Sequence, residues 1–214
     1  MLITKIKASP ITNLTDARYF AAREVDWIGF DFRVGSETYI APAMMHAIRE
    51  WVGGVQCIGE FELETALEIQ ALIQDLQLDA IQMGMLSSLE TLVALQTSVP
   101  VFKEIVIDFD TSPSALHAQL ALFQPWVAAF VLDFQKNGIE WEALQQGIPF
   151  PLQQLQAITN DFRVLLHINL QPKVLKNILE MLQLYGLCVK GGEEEKTGFK
   201  SFEEMDDIFE ILEL

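Results

Sequence analysis

The chain of 214 residues is half hydrophobic and carries 14 basic against 30 acidic side chains, a formal net charge of −16. That balance argues against nucleic acid or an anionic membrane as partner, because both are held by cationic surfaces that release counterions. No run approaches the roughly 18 apolar residues of a membrane span, and Met-Leu-Ile-Thr-Lys-Ile-Lys at the start lacks the apolar core of a signal peptide, so the cytoplasm is expected.

Read in chain order, short apolar runs alternate with helix-like stretches. A strand at 3–8 leads to a helix over 14–24, with Leu14, Ala17, Ala21 and Val25 on one face. A strand at 27–32 leads to a helix opened by Pro42, a residue suited to a first helical turn. A strand at 55–60 precedes a helix over 63–76, where Ala66, Ile69, Ile73 and Leu76 recur at helical spacing. The strand at 80–83 is followed by Ser87-Ser88 and a helix over 89–96. Strands at 101–107 and 127–133 flank a helix opened by Pro113, and strands at 164–167 and 187–190 flank one opened by Pro172. The last helix begins in the acidic turn Ser201-Phe-Glu-Glu, which complements its dipole. Near-continuous hydrophobicity suits parallel strands covered on both faces. Eight units of about 27 residues predict one α/β domain over 1–214, a closed (β/α)8 barrel; an open doubly wound sheet would usually use fewer strands. Cys57 and Cys188 lie in apolar runs and read as buried thiols of a reducing compartment.

A barrel places its chemistry at the carboxyl ends of its strands. There the sequence offers Lys7, Asp31, Glu60, Gln82, Asp133, His167, Asn169 and Lys190. Two-residue alternation puts His167 and Asn169 on one face, and likewise Cys188 and Lys190. His167 is the only histidine at a predicted strand end, His46 and His117 falling on helices. It reads either as a general base or ligand near Asp133 or as a satisfied polar residue. Asp31, Glu60 and His167 are residue types that bind divalent metals, but no motif spacing supports such a site, so no metal or other cofactor is expected.

Several segments, in order and from end to end, resemble the phosphoribosylanthranilate isomerase family. Ile11-Thr-Asn-Leu-Thr-Asp-Ala17 is similar to its opening strand-to-helix turn. Trp27-Ile-Gly-Phe-Asp-Phe32 with Ser36-Glu-Thr-Tyr-Ile-Ala-Pro42 is similar to its second strand and Ser-Pro-Arg-Tyr-Val-x-Pro loop. Leu78-Asp-Ala-Ile-Gln82 resembles Gln-Leu-His-Gly, Pro100-Val-Phe-Lys103 resembles Pro-Val-Ile-Lys, and Ile139-Glu-Trp141 resembles Phe-Asp-Trp. Gly191-Gly-Glu-Glu-Glu-Lys-Thr-Gly-Phe-Lys200 aligns without a gap on Ser-Gly-Val-Glu-x-x-Pro-Gly-x-Lys.

The resemblance implies a TIM barrel of the ribulose-phosphate-binding type and an Amadori aldose-to-ketose isomerisation in tryptophan biosynthesis. The implied partner is a small phosphorylated metabolite, bound by a monomer or homodimer. Asp133, ending Phe130-Val-Leu-Asp133, takes the place of the general acid, and an apolar rim should raise its pKa; the plainer reading is a cap on the next turn or a lysine's partner. The family's basic cysteine falls on Ser9, whose hydroxyl does not ionise unaided and which reads as a turn residue. The arginine that binds the anthranilate carboxylate falls on Thr38, and Arg33, five residues earlier, reads either as its substitute or as a solvated loop arginine. Substrate and phosphate contacts are expected from Lys7, Gln82, His167, Asn169, Lys190, Gly191 and Gly192. Yet Glu193-Glu194-Glu195 follows the glycines, which also read as a structural turn, and Leu166-His167-Ile168-Asn169 brings no glycine after strand seven. Two functions compete on this reading: a barrel enzyme of the isomerase family acting with altered residues on the ancestral substrate or a related sugar phosphate, and a non-catalytic barrel serving as a binding or assembly protein.

Overall fold

Runs this apolar need cover on both sides, and the chain supplies it by closing eight parallel strands inside a ring of helices. The computed structural model describes residues 1–191, 194–196 and 199–213. The barrel strands are β1 Lys5–Ala8, β2 Trp27–Asp31, β3 Gln56–Phe61, β4 Ala80–Met83, β5 Val101–Val106, β6 Ala129–Asp133, β7 Val164–His167 and β8 Gly186–Val189. The helices are α1 Leu14–Ala22, α2 Pro42–Arg49, α3 Ala66–Leu76, α4 Leu89–Leu95, α5 Pro113–Phe123, α6 Trp141–Gln145, α7 Leu152–Asp161, α8 Pro172–Met181 and α9 Glu203–Leu212. Two short strands, β9 Glu194–Lys196 and β10 Phe199–Lys200, pair antiparallel outside the barrel.

The strand boundaries lie within two residues of expectation, and local chemistry accounts for the larger differences. β1 starts late because the Ile3 N–H donates to the Leu212 carbonyl and Leu2 bridges Glu213, so these residues pair with the end of α9. α3 starts at Ala66 because Thr65 caps it. Its hydroxyl accepts from the Glu68 N–H while the Glu68 carboxylate accepts from the Thr65 N–H, a reciprocal pair that fixes the first turn. α1 stops at Ala22, and Glu24 just beyond it takes a left-handed φ of 56°.

Alternation turns Trp27, Ile58, Phe102, Val131 and Leu165 into the barrel, where they form a small inner core with Cys188. Trp27 and Phe102 meet edge to face with centroids 5.2 Å apart. A larger core, including Phe20, Phe30, Phe130, Leu155 and Phe209, packs strands against helices. Both cysteines are buried and free.

Further along the same strands the inner face turns polar. Register sets Asp31 beside Glu60 and Glu60 beside Gln82. It also sets Asp133 beside His167, His167 beside Cys188, and Cys188 beside Lys7. These two rows of neighbours form the floor of the barrel mouth. Among the described residues, no helix is long and apolar enough to cross a membrane.

Candidate functional site

The mouth holds a cavity of about 380 Å³ lined largely by charged and polar side chains. On its β1–β3 side these groups are paired with one another. Glu60, 4% exposed, accepts at one oxygen, Oε1, from both the Lys7 ammonium and the Ser9 hydroxyl. Burial pushes the Glu60 carboxyl up, but the Lys7 and Arg33 charges and these two hydrogen bonds hold it below its ordinary range. Lys7, against its own burial, is raised by Glu60. Asp31, completely buried, takes a two-pronged grip from Arg33, with Nε at 2.7 Å and Nη2 at 2.8 Å. It also accepts from the hydroxyls of Ser36 at 2.6 Å and Thr38 at 2.7 Å. Burial opposes the charge, yet these bonds bring Asp31 down to about 2. The Arg33 guanidinium also faces Glu60 at 3.7 Å and Glu62 and Glu104 at 3.9 Å.

The β4–β7 side is not closed in this way. Gln82, 3% exposed, keeps a buried Oε1 with no hydrogen-bond partner among the described residues, and so does His167 at Nε2. The other ring nitrogen, Nδ1, lies 3.0 Å from Asp133 Oδ2, and the Lys136 N–H donates to Asp133 Oδ1 at 2.9 Å. Burial would raise Asp133, but the His167 hydrogen bond and charge, helped by Lys136, take it below its ordinary value. Glu104 moves the other way. Burial raises it and the Glu60 and Asp133 carboxylates add to that, while the Lys136 ammonium at 3.1 Å and Arg33 oppose.

Beside the mouth, a second cavity of about 490 Å³ opens between the loops after β7 and β8. Asn169, Lys190 and Gly191 line it, together with Ser201, Glu203 and Glu204. At Gly191 the chain passes close to Asp16: a Cβ there would lie 3.3 Å from the carboxylate, which would have to shift by a few tenths of an ångström.

The profile of the N-(5'-phosphoribosyl)anthranilate isomerase family matches residues 6–211. The chain belongs to this family. Solved structures agree on the fold. The phosphoribosylanthranilate isomerase of Thermus thermophilus is 25% identical with a TM-score of 0.74, over 97% of each chain. That of Thermotoga maritima is 20% identical with a TM-score of 0.78, over 97% of this chain and 98% of that one. A third, crystallised with reduced 1-(o-carboxyphenylamino)-1-deoxyribulose 5-phosphate, is 20% identical with a TM-score of 0.76, over 97% of both. No curated protein sequence matches the chain.

In this phosphoribosylanthranilate isomerase relative, the mouth gathers Lys7, Ser9, Gln82, Asp133, His167 and Lys190. Asn169 does not join His167 there: it follows the end of β7, donates to Glu140 at 3.3 Å, and lines the second cavity instead. Gly192 and Glu193 lie outside the described residues. Asp133 departs from the raised pKa expected of an apolar rim, because it caps the turn at Lys136 and pairs with His167. Arg33 is not a solvated loop residue; its side chain is 20% exposed and clamped to Asp31. His167 is not a fully satisfied replacement for a glycine, since Nε2 has no hydrogen-bond partner among the described residues. Ser9 sits in the turn after β1 as expected, but its hydroxyl also enters the mouth network. Among the described residues, no group of three or more His, Cys, Asp or Glu side chains is placed to hold a metal.

Sequence reasoning missed Glu104 and the Lys136 side chain. The signal for Glu104 was available: two residues beyond Phe102 on β5, it shares the inward face. Lys103, by contrast, turns outward and is buried, its ammonium donating to the carbonyls of Gly84, Met85 at 3.2 Å and Ser87 at 3.1 Å. It anchors the loop after β4, and burial brings its pKa down to about 8.

Proposed function

We propose that the chain is a divergent member of the isomerase family in which the ancestral Amadori rearrangement is lost. One observation carries this reading. The hydroxyls of Ser9 and Thr38, which stand where the resemblance puts the base and the carboxylate-binding arginine, both donate into buried carboxylates. The remaining parts agree. A carboxyl held below its ordinary pKa, as Asp133 is, has no proton to give at neutral pH. The cavity beside Gly191 is lined by Glu203 and Glu204, with Lys190 the only cation among its described lining, a poor setting for a phosphate dianion.

The test is calorimetric titration with reduced 1-(o-carboxyphenylamino)-1-deoxyribulose 5-phosphate, the compound held by one of the structural neighbours. No binding up to millimolar concentration is expected; micromolar affinity overturns the reading. A second reading, a binding or assembly barrel, is favoured by Leu63, Leu86 and Phe109, which stand exposed on the loops after β3, β4 and β5. Sedimentation of the protein beside a Leu86→Ser, Phe109→Ser variant tests it, since only an assembly surface on these loops would make the two differ in mass.

A further inference from the structure

We propose that the mouth cavity takes a small uncharged sugar, an unphosphorylated aldose or ketose, with Gln82 and His167 as its polar contacts and His167 as proton-transfer base. The inference rests on the preceding reading, that the site no longer serves the ancestral anionic substrate.

Three observations support it. First, the mouth has two buried polar atoms without partners among the described residues, Gln82 Oε1 and His167 Nε2, and both residues line the same cavity. Buried polar groups are almost always hydrogen-bonded and costly to leave unpaired, so two in one cavity mark a place for a ligand's hydroxyls. Second, the cations around them are already engaged. Lys7 faces Glu60, Arg33 faces Asp31, and Lys136 faces Glu104, which leaves only the exposed Lys190 for an anion among the described lining. A neutral, hydroxyl-rich molecule suits such a lining better than a phosphate. Third, about 380 Å³ lies at the small end of ligand pockets.

The Asp133–His167 pair supplies the chemistry. Asp133 fixes the Nδ1 side of the ring, which leaves Nε2 to act. In the open-chain aldehyde, His167 Nε2 takes the proton from C2, and the C–H electron pair becomes the C1=C2 bond of an enediol. The carbonyl oxygen at C1 takes a proton from the Lys136 ammonium, which the Glu104 carboxylate holds at 3.1 Å in the same cavity. The enediol then returns the O2 proton to Lys136 and accepts the His167 proton at C1, giving the ketose with no net change in atoms or electrons. Asp133 is a positioning residue in this scheme, since it acts through His167.

The experiment incubates the protein in deuterated water with a panel of unphosphorylated pentoses and hexoses, D-ribose and D-xylose among them, beside D-ribose 5-phosphate. Deuterium at C2 is read by NMR. Exchange of at least one unphosphorylated sugar above the protein-free rate is expected, with the phosphorylated sugar no faster. His167→Gln should slow exchange by about 100-fold or more, and Gln82→Leu should raise KM. Asp133→Asn should lower kcat and move the pH profile, which a purely structural role would not do. Because His167→Gln alters a partly buried residue, the Gln82→Leu result is a second check in a variant expected to fold. No exchange across the panel, exchange indifferent to His167→Gln, or a phosphorylated sugar reacting more than tenfold faster each overturns the inference. Binding of the reduced anthranilate analogue is read separately, so failure of the earlier reading is distinguishable from failure of this one.

Discussion

On the β1–β3 side of the mouth, Lys7, Ser9, Arg33, Ser36 and Thr38 all donate to two buried carboxylates, Glu60 and Asp31. On the β4–β7 side, Gln82 and His167 each keep a buried polar atom without a partner among the described residues. The first arrangement is complete as it stands and offers a ligand little. The second leaves two buried acceptor positions free of protein partners and so open to a hydrogen bond from a bound molecule. Function is therefore expected on the unsatisfied side, although the resemblance to the family places base and carboxylate clamp on the satisfied one.

Three substitutions put that contrast at risk. The largest effect is expected from Lys7→Met, which leaves the buried Glu60 charge to the more distant Arg33. Breaking one member of a buried pair costs about 3–5 kcal/mol, and denaturant unfolding should show a loss toward the low end of that range. Next comes Asp31→Asn. The Asp31 carboxyl falls from 3.8 to about 2 on folding, so its ionised form contributes about 2 kcal/mol at neutral pH. A depressed carboxyl stabilises fully above its unfolded value and loses that contribution as pH falls through the folded one. Stability curves of the two proteins should thus differ by a constant above about pH 4 and converge toward pH 2. The smallest effect has the opposite sign. Gln82→Leu removes an unpaired buried amide oxygen from the other side, and should be neutral or stabilising by up to about 1 kcal/mol. A loss of more than 1 kcal/mol there, or no loss in Lys7→Met, would erase the distinction between the two sides.

Much of this architecture was legible in the sequence, because a parallel barrel needs short strands apolar on both faces and punctuated helices between them. Pro42, Pro113 and Pro172 all open helices where expected. The site was legible as a roster: alternation and strand ends pointed to Lys7, Glu60, Gln82, Asp133 and His167, all of which line the mouth. Their pairing was not, because partners arrive from different strands and depend on barrel register. Nothing local to Arg33 reveals that it folds back two residues onto Asp31 and over Glu60. Nothing local to Asp133 shows that His167, 34 positions away, comes to lie beside it through the register of β6 and β7. Glu104 was legible by alternation alone, but its acidic environment required the closed barrel.

The central claim, that the rebuilt mouth has left the ancestral reaction, is tested most directly by turnover of phosphoribosylanthranilate at high enzyme concentration, with Asp133→Asn as control. The account predicts no turnover above background in either protein while both remain folded. Turnover that disappears in Asp133→Asn would contradict it, and would mean that Asp133 still donates a proton and that some group in the mouth has replaced the missing base.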